Sequence, residues 1–265
     1  MNILCIGDIV GRPGRTAVEK LLPALKEEFH LDMVIANGEN AAGGSGITPR
    51  VANHLFNLGC DVLTTGDHIW DKSEIQEFLN TTETLLRPAN FPSGAPGRGW
   101  CVYQSAQGQK IGVINLLGRV FMRYNIDCPF QKLAKIVENL KKETPILVVD
   151  MHAEATSEKI ALGWFSDGKV SAVVGTHTHV QTADEKILPQ GTAYITDLGM
   201  TGPYDSVIGQ NKERIVQRFL SSLPHRFEVA KDDMQLHGVV LDIDETTGRS
   251  RSITRVQRSF KETNI

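Results

Sequence analysis

Short apolar runs and amphipathic stretches alternate along most of the chain. Asn2–Ile6, Met33–Ala36, Val62–Thr65, Ile111–Leu116, Ile146–Val149, Ala172–Val174 and Ala193–Thr196 are rich in β-branched residues and short enough to be buried strands. Between them, apolar positions recur at helical spacing. Ala17, Val18, Leu21, Leu22 and Leu25 form one stripe, with Lys26, Glu27 and Glu28 on the other face. Val51, Leu55 and Leu58 form a second stripe, and Leu133, Ile136, Val137 and Leu140 a third. This alternation predicts an α/β fold with both sheet faces covered. The end of the chain differs. Phe227–Ala230, Leu236–Ile243 and Ser252–Arg258 read as consecutive strands, with Asp, Thr and Gly residues supplying a turn between the last two, so an antiparallel ending is expected. No repeat, low-complexity tract or linker divides residues 1–265, and Pro88–Gly99 reads as a surface loop. A single domain is expected.

Composition narrows the function without naming it. Hydrophobic residues make up 41% and charged residues 22%, as in ordinary globular proteins. A formal net charge of -3 argues against a non-specific grip on long nucleic acids, which needs a basic face. It leaves room for a small phosphorylated substrate held by a metal. No apolar stretch approaches the roughly 20 residues that span a bilayer, and Met1–Asp8 lacks the features of a secretory signal. A cytoplasmic protein without membrane contact is expected, and a homo-oligomer is compatible with this composition. Cys5, Cys60, Cys101 and Cys128 include no C-x-x-C pair, so they read as reduced thiols, with Cys5 packing as a small hydrophobe.

The chemistry lies where the apolar runs stop. Asp8 follows the first, Glu39 and Asn40 the second, Asp67 and His68 the third, His152 the fifth, and His177 and His179 the sixth. Loops at strand C-termini are where α/β folds hold ligands. Each residue also has a plainer explanation. Asp8 could be a turn residue or cap a helix starting near Pro13, and Gly43-Gly44 could mark an ordinary loop after Glu39. Three carboxylates, one amide and four histidines at five strand ends argue for more than decoration. Mixed oxygen and imidazole donors without thiolate suit iron, manganese, zinc or nickel. The donors exceed the four or so that one tetrahedral ion takes, and two ions sharing a carboxylate would use them all. In a strand extension, His177-Thr178-His179 would carry both rings on one face. His30, His54, His225 and His237 fit no such pattern and read as surface or packing residues.

Two arginines are candidate phosphate contacts. Gly7, Gly11 and Gly14 miss the dinucleotide fingerprint, and no Walker A sequence is present. Gly11-Arg12-Pro13-Gly14 nevertheless sets a cation and a helix N-terminus beside Asp8, which suits either an anion site or a solvated loop arginine. Arg119, after Gly118, is the second candidate.

Several motifs resemble those of the calcineurin-like metallophosphoesterases, specifically the YmdB branch of 2',3'-cyclic-nucleotide 2'-phosphodiesterases. They are Gly7-Asp8, Gly38-Glu39-Asn40-Ala41-Ala42, Gly66-Asp67-His68-Ile69-Trp70-Asp71, Arg87-Pro88-Ala89-Asn90, the run from His152 to Lys159, the run from Gly175 to His179, and Thr201-Gly202-Pro203-Tyr204-Asp205. They cover most of the chain in the expected order. The resemblance implies an αββα two-sheet sandwich and a di-iron site that can take manganese or another divalent ion. It assigns Asp8, Glu39, Asn40 and His179 to one metal. Glu39, Asp67, His152 and His177 would hold the other, with Glu39 bridging. It makes His68 the proton donor while a hydroxide bridging the metals attacks phosphorus. The superfamily usually reads Asp-x-His in its first motif; this chain reads Asp8-Ile9-Val10, and Asn40 would fill the vacancy, as across this branch. The branch normally reads Gly-Asn-His where this chain reads Gly66-Asp67-His68, which adds a negative charge. Glu154, two residues after His152, would support a metal ligand or form a structural salt bridge. The implied reaction is hydrolysis of a 2',3'-cyclic nucleotide to a monoester. Alternatives are a 3',5'-cyclic substrate, a phosphomonoesterase, or a non-catalytic metal- and nucleotide-binding regulator acting through a protein partner.

Overall fold

The computed structural model describes residues 1–224 and 226–260. From the N-terminus the elements are β1 (Asn2–Ile6), β2 (Asp8–Ile9), α1 (Gly11–Phe29), β3 (Met33–Asn37), α2 (Pro49–Asn57), β4 (Val62–Thr64), α3 (Ile75–Thr81), β5 (Trp100–Gln104), β6 (Lys110–Leu117) and α4 (Pro129–Leu140). They continue as β7 (Leu147–His152), α5 (Thr156–Ser166), β8 (Ala172–Thr176), β9 (Lys186–Ile187), β10 (Ala193–Ile195), β11 (Met200–Pro203), α6 (Lys212–Ser221), β12 (Met234–Ile243) and β13 (Ser250–Ser259). Among the described residues, no helix is long and apolar enough to cross a membrane.

Side-chain alternation explains how these elements stack. In β1, Ile3 and Cys5 face one core and Leu4 and Ile6 another; in β3, Met33 and Ile35 part from Val34 and Ala36 in the same way. A strand buried on both faces needs a layer on each side. One side is the helix layer, where Val18, Leu22 and Leu25 of α1 and Val51, Ala52 and Leu55 of α2 pack. The other is a second sheet, which meets the first through Ile3, Val148, Val174 and Ile195. The outer face of that second sheet takes Leu133, Ile136, Val137 and Leu140 of α4. The result is the expected αββα sandwich. Each fully buried leucine or isoleucine contributes about 1.5–3 kcal/mol of transfer free energy.

The first sheet runs β2-β11-β12-β1-β3-β4, with β13 also paired to β12; the second runs β5-β6-β7-β8-β10-β9. β1, β3 and β4 are mutually parallel, as are β6, β7 and β8. Their carboxyl ends therefore point the same way within each sheet. The antiparallel ending holds for β12 and β13, and Asp244 anchors the turn by accepting the Thr246 and Thr247 N–H groups.

Four expectations need correction. Phe227–Ala230 forms no strand; only an isolated bridge joins Val229 to Gln210. Helix α1 begins at Gly11, since Pro13 sits in its first turn, where a missing N–H leaves no bond unmade. No side chain caps that helix, and Asp8 lies inside β2. The Pro88–Gly99 loop is buried at its start, where Asn90 bonds the backbone of Leu117 and Asp127. His30 and His54 are exposed, and His237 is buried and stacked on Tyr204. His225 lies outside the described residues. All four cysteines are free, and Cys5 is buried.

Candidate metal centre

Five strand ends converge where the carboxyl edges of the two sheets meet. Asp8 comes from β2, Glu39 and Asn40 from the turn after β3, and Asp67 and His68 from the turn after β4. The second sheet supplies His152, the last residue of β7, and His177 and His179 just beyond β8. Close approach here depends on Gly66, because a Cβ at that position would stand 2.2 Å from both Glu39 Oε2 and His152 Nε2.

Glu39 is the hub. Its Oε1 lies 3.1 Å from His152 Nε2 and accepts the Asn40 Nδ2–H at 3.1 Å. On one side, Asp67 Oδ1 is 3.4 Å from His152 Nε2 and 3.6 Å from His177 Nδ1, while the two ring nitrogens are 3.0 Å apart. Glu39, Asp67, His152 and His177 each offer a ligand atom, all within 4.8 Å of one another. On the other side, His179 Nε2 lies 3.2 Å from Asn40 Nδ2 and 3.8 Å from Asp8 Oδ1. His68 Nδ1 meets Asn40 Oδ1 at 2.9 Å, and its ring is partly open to solvent. Glu154 Oε2 approaches His177 Nε2 at 3.2 Å.

The donor set fits metal ions on structural grounds. Asp8 Oδ1 and Asp67 Oδ1 are buried without any hydrogen-bond partner. Buried carboxylate oxygens are ordinarily satisfied, and both of these face the imidazole cluster. Among the described residues, Lys159 on Asp197 is a fully buried ammonium–carboxylate pair, yet no lysine or arginine pairs with Asp8, Glu39 or Asp67.

Electrostatics sharpen the picture. Burial pushes the Asp8 carboxyl up to about 6, against the pull of His179 and His152. Burial opposes ionisation of Glu39 and Asp67 too, but neighbouring imidazoles outweigh it, His152 foremost, and hold both below the ordinary carboxylate range. Burial likewise disfavours charge on His152, yet Glu39, Asp67 and Asp8 raise it well above the ordinary imidazole value. His177 goes the other way, to about 4, through burial and the charge of His152.

One conformation departs from expectation. His177-Thr178-His179 is not a strand extension: His177 has φ 99° and His179 φ 65°. The turn aims the two rings to different sides of Glu39 instead of along one face. Sequence reading also passed over the polar layer beneath the site. Asp150 is buried and accepts from Thr64, Thr176 and Asn37. The available signal was a carboxylate inside the apolar run of β7.

Of the two arginines, Arg119 follows Gly118, whose N–H donates to His152 O at 2.9 Å, and its own N–H donates to Glu158. Arg12 follows Gly11, whose N–H donates to Asn40 O at 2.9 Å. Both residues are exposed, each one position along from a glycine whose backbone bonds the cluster.

Known proteins resemble this chain along nearly its whole length. A family model described as "YmdB-like protein" matches residues 4–256. The chain is 52% identical over 256 residues to the 2',3'-cyclic-nucleotide 2'-phosphodiesterase of Bacillus subtilis (strain 168), spanning 97% of this chain and 96% of that one. A solved structure of a hypothetical protein from Thermus thermophilus superposes with a TM-score of 0.91 at 39% identity, covering 98% of this chain and 100% of that one. A novel phosphatase from Mycoplasma pneumoniae gives a TM-score of 0.91 at 35% identity, covering 98% and 93%.

Proposed function

The chain belongs to the YmdB-like family, and from that premise we propose that it is a cytoplasmic, metal-dependent phosphodiesterase acting on 2',3'-cyclic nucleotides. The observation that carries the reading is the position of Glu39 Oε1, 3.1 Å from His152 Nε2 on one side and from Asn40 Nδ2 on the other. A carboxylate so placed suits two ions at once. Glu39, Asp67, His152 and His177 would hold one, and Asp8, Glu39, Asn40 and His179 the other. Iron is the metal the family resemblance implies first, with manganese or another divalent ion as substitute, and oxygen and imidazole donors without thiolate are compatible with each. When bound, such ions supply a nucleophilic water at neutral pH and offset charge on the phosphoryl oxygens.

The remaining work falls to side chains. His68 stands beside Asn40 with its Nε2 free of hydrogen bonds among the described residues, and that atom would give its proton to the leaving ribose oxygen. Breaking the 2' ester leaves a 3'-monophosphate. Arg12 and Arg119, beside Asn40 and His152, would contact the phosphate or the sugar. The whole chain acts as a single catalytic domain in this reading, since both sheets contribute to the site.

Purified protein loaded with iron or manganese should hold about two ions per chain and convert 2',3'-cyclic nucleotides to 3'-monophosphates. Faster release of phosphate from monoesters, or faster opening of 3',5'-cyclic nucleotides, would reassign the substrate. A metal-loaded protein that turns over none of these would be a binding regulator and not an enzyme.

A further inference from the structure

The segment Thr176-His177-Thr178-His179 alternates hydroxyls with imidazoles, and each hydroxyl bonds a buried carboxylate. Thr176 reaches Asp150, under the site. Thr178 reaches Asp197, which the catalytic reading leaves unused. Asp197 Oδ2 accepts both the Thr178 N–H at 3.1 Å and the Thr178 hydroxyl at 2.8 Å. The same oxygen accepts from Lys159 Nζ at 2.7 Å, and both members of this ion pair are fully buried. Asp197 Oδ1 accepts the Gly199 N–H at 2.8 Å, and Gly199 O accepts the Asp8 N–H at 3.1 Å. One carboxylate thus ties the turn carrying two imidazoles to the strand carrying Asp8.

Such a tie has something to hold. His177 and His179 both occupy the left-handed region, which L side chains avoid. Thr178, between them, is the residue gripped. The chain also makes room for the grip: a Cβ on Gly175 would stand 1.8 Å from Thr196 O and 2.9 Å from Lys159 Cδ. A buried ion pair contributes little net stability over apolar residues of equal volume. What this one supplies is a fixed geometry.

We propose that Lys159 and Asp197 are positioning residues that clamp Thr178 and thereby set the His177 and His179 rings on opposite sides of Glu39. The proposal rests on those histidines being metal ligands. Lys159 orders Asp197, Asp197 orders the turn, and the turn delivers two ring nitrogens to two ions. Both residues are fully buried and do not line the open side of the site.

The test uses the full chain with cobalt(II) as the probe, followed by titration and by its visible absorption. Thr178→Val removes the hydroxyl and leaves the ion pair intact. Lys159→Met removes the ammonium. Both should lose roughly 10–100-fold in affinity for at least one ion, the effect typical of losing a partner behind a metal ligand, with an altered cobalt spectrum. Thr178→Ser should recover affinity and spectrum. A Thr178→Val protein that binds cobalt with parental affinity and an unchanged spectrum overturns the proposal, even if its melting temperature falls. If Lys159→Met does not fold, Thr178→Val decides alone. His177→Ala and His179→Ala separate the two layers of inference. If neither weakens cobalt binding, the metal-ligand reading and the proposal fall together. If they weaken it and Thr178→Val does not, only the proposal falls.

Discussion

His152 presents Nδ1 to the Thr176 hydroxyl oxygen at 2.9 Å. That hydroxyl donates its one proton to Asp150 Oδ1 at 2.7 Å, so it accepts from His152 Nδ1–H. The free lone pair of the neutral ring is then on Nε2, the atom facing Glu39 and Asp67. The tautomer that the proposed metal ligation requires is set from behind. Thr176→Val should cost about 1–3 kcal/mol of stability by leaving buried groups unpaired. It should also weaken metal binding roughly 10–100-fold, and Thr176→Ser should restore most of both. Thermal melts and metal titrations check this; parental metal affinity in Thr176→Val would sink it.

His68→Ala should keep both metals and lose turnover by about 10²–10⁴-fold. The loss should shrink for a substrate whose leaving group has a low pKa, because that group departs without a proton. Equal losses on good and poor leaving groups would argue against proton donation, and loss of metal would make His68 a ligand.

Asp67 carries a charge whose effects on metal and substrate oppose each other. Its Oδ1 is buried, unbonded and aimed at His152 and His177. Asp8, Glu39 and Asp67 together bring about three negative charges, so two divalent ions leave about one positive charge for an anionic substrate. Asp67→Asn should weaken one metal and raise kcat/KM at saturating metal. The expected change is about 0.5–2 kcal/mol, since a coordinated carboxylate is largely neutralised. Unchanged metal binding together with unchanged kcat/KM would remove Asp67 from the ligand set.

His237 gives the molecule an acid-sensitive point outside the proposed ligand set. Burial pushes its imidazole down to about 4, where it stacks on Tyr204 and stays neutral. In the unfolded chain it titrates near about 6.5. The unfolded state therefore takes up a proton first as pH falls, and stability drops between about pH 6.5 and 4. Between pH 7 and 5 the metal-free parent should lose about 1–2 kcal/mol more than His237→Gln. Urea melts at the two pH values measure the difference, and parallel losses would show that His237 is not the sensitive group.

The sheets and most of the site were legible because both follow from one pattern. Strands buried on both faces appear as apolar runs, and the polar residue ending such a run lies at the carboxyl edge. Asp8, Glu39, Asp67 and His177 were readable this way. β5 was not, since Trp100 and Gln104 are exposed and interrupt its pattern. Helix α5 buries Glu158 and Lys159 while exposing Trp164, the reverse of an amphipathic stripe. Helix α6 leaves Val216, Phe219 and Leu220 exposed, so its apolar residues mark no packed face. The left-handed backbone at His177 and His179 has no trace in residue types, because alternating Thr and His favours extended chain. Asp150 and Asp197 stood in the sequence as single carboxylates, and their roles depend on partners from distant segments such as Asn37 and Lys159.

The division of the site between two sheets also orders its appearance during synthesis. Asp8, Glu39, Asn40 and Asp67 leave the ribosome well before His152, His177 and His179. For that interval the nascent chain holds an acidic half-site with His68 as the one imidazole of the cluster. Three carboxylates that are buried in the finished protein gain His152 and His177 only once β7 and β8 are made, and the strand carrying Asp8 gains its partner β11 later still. β12, which pairs with β1 in the first sheet, is made after every strand of the second, so the first sheet is not complete without the end of the chain. The proposed centre therefore exists only in a chain whose two sheets have come together.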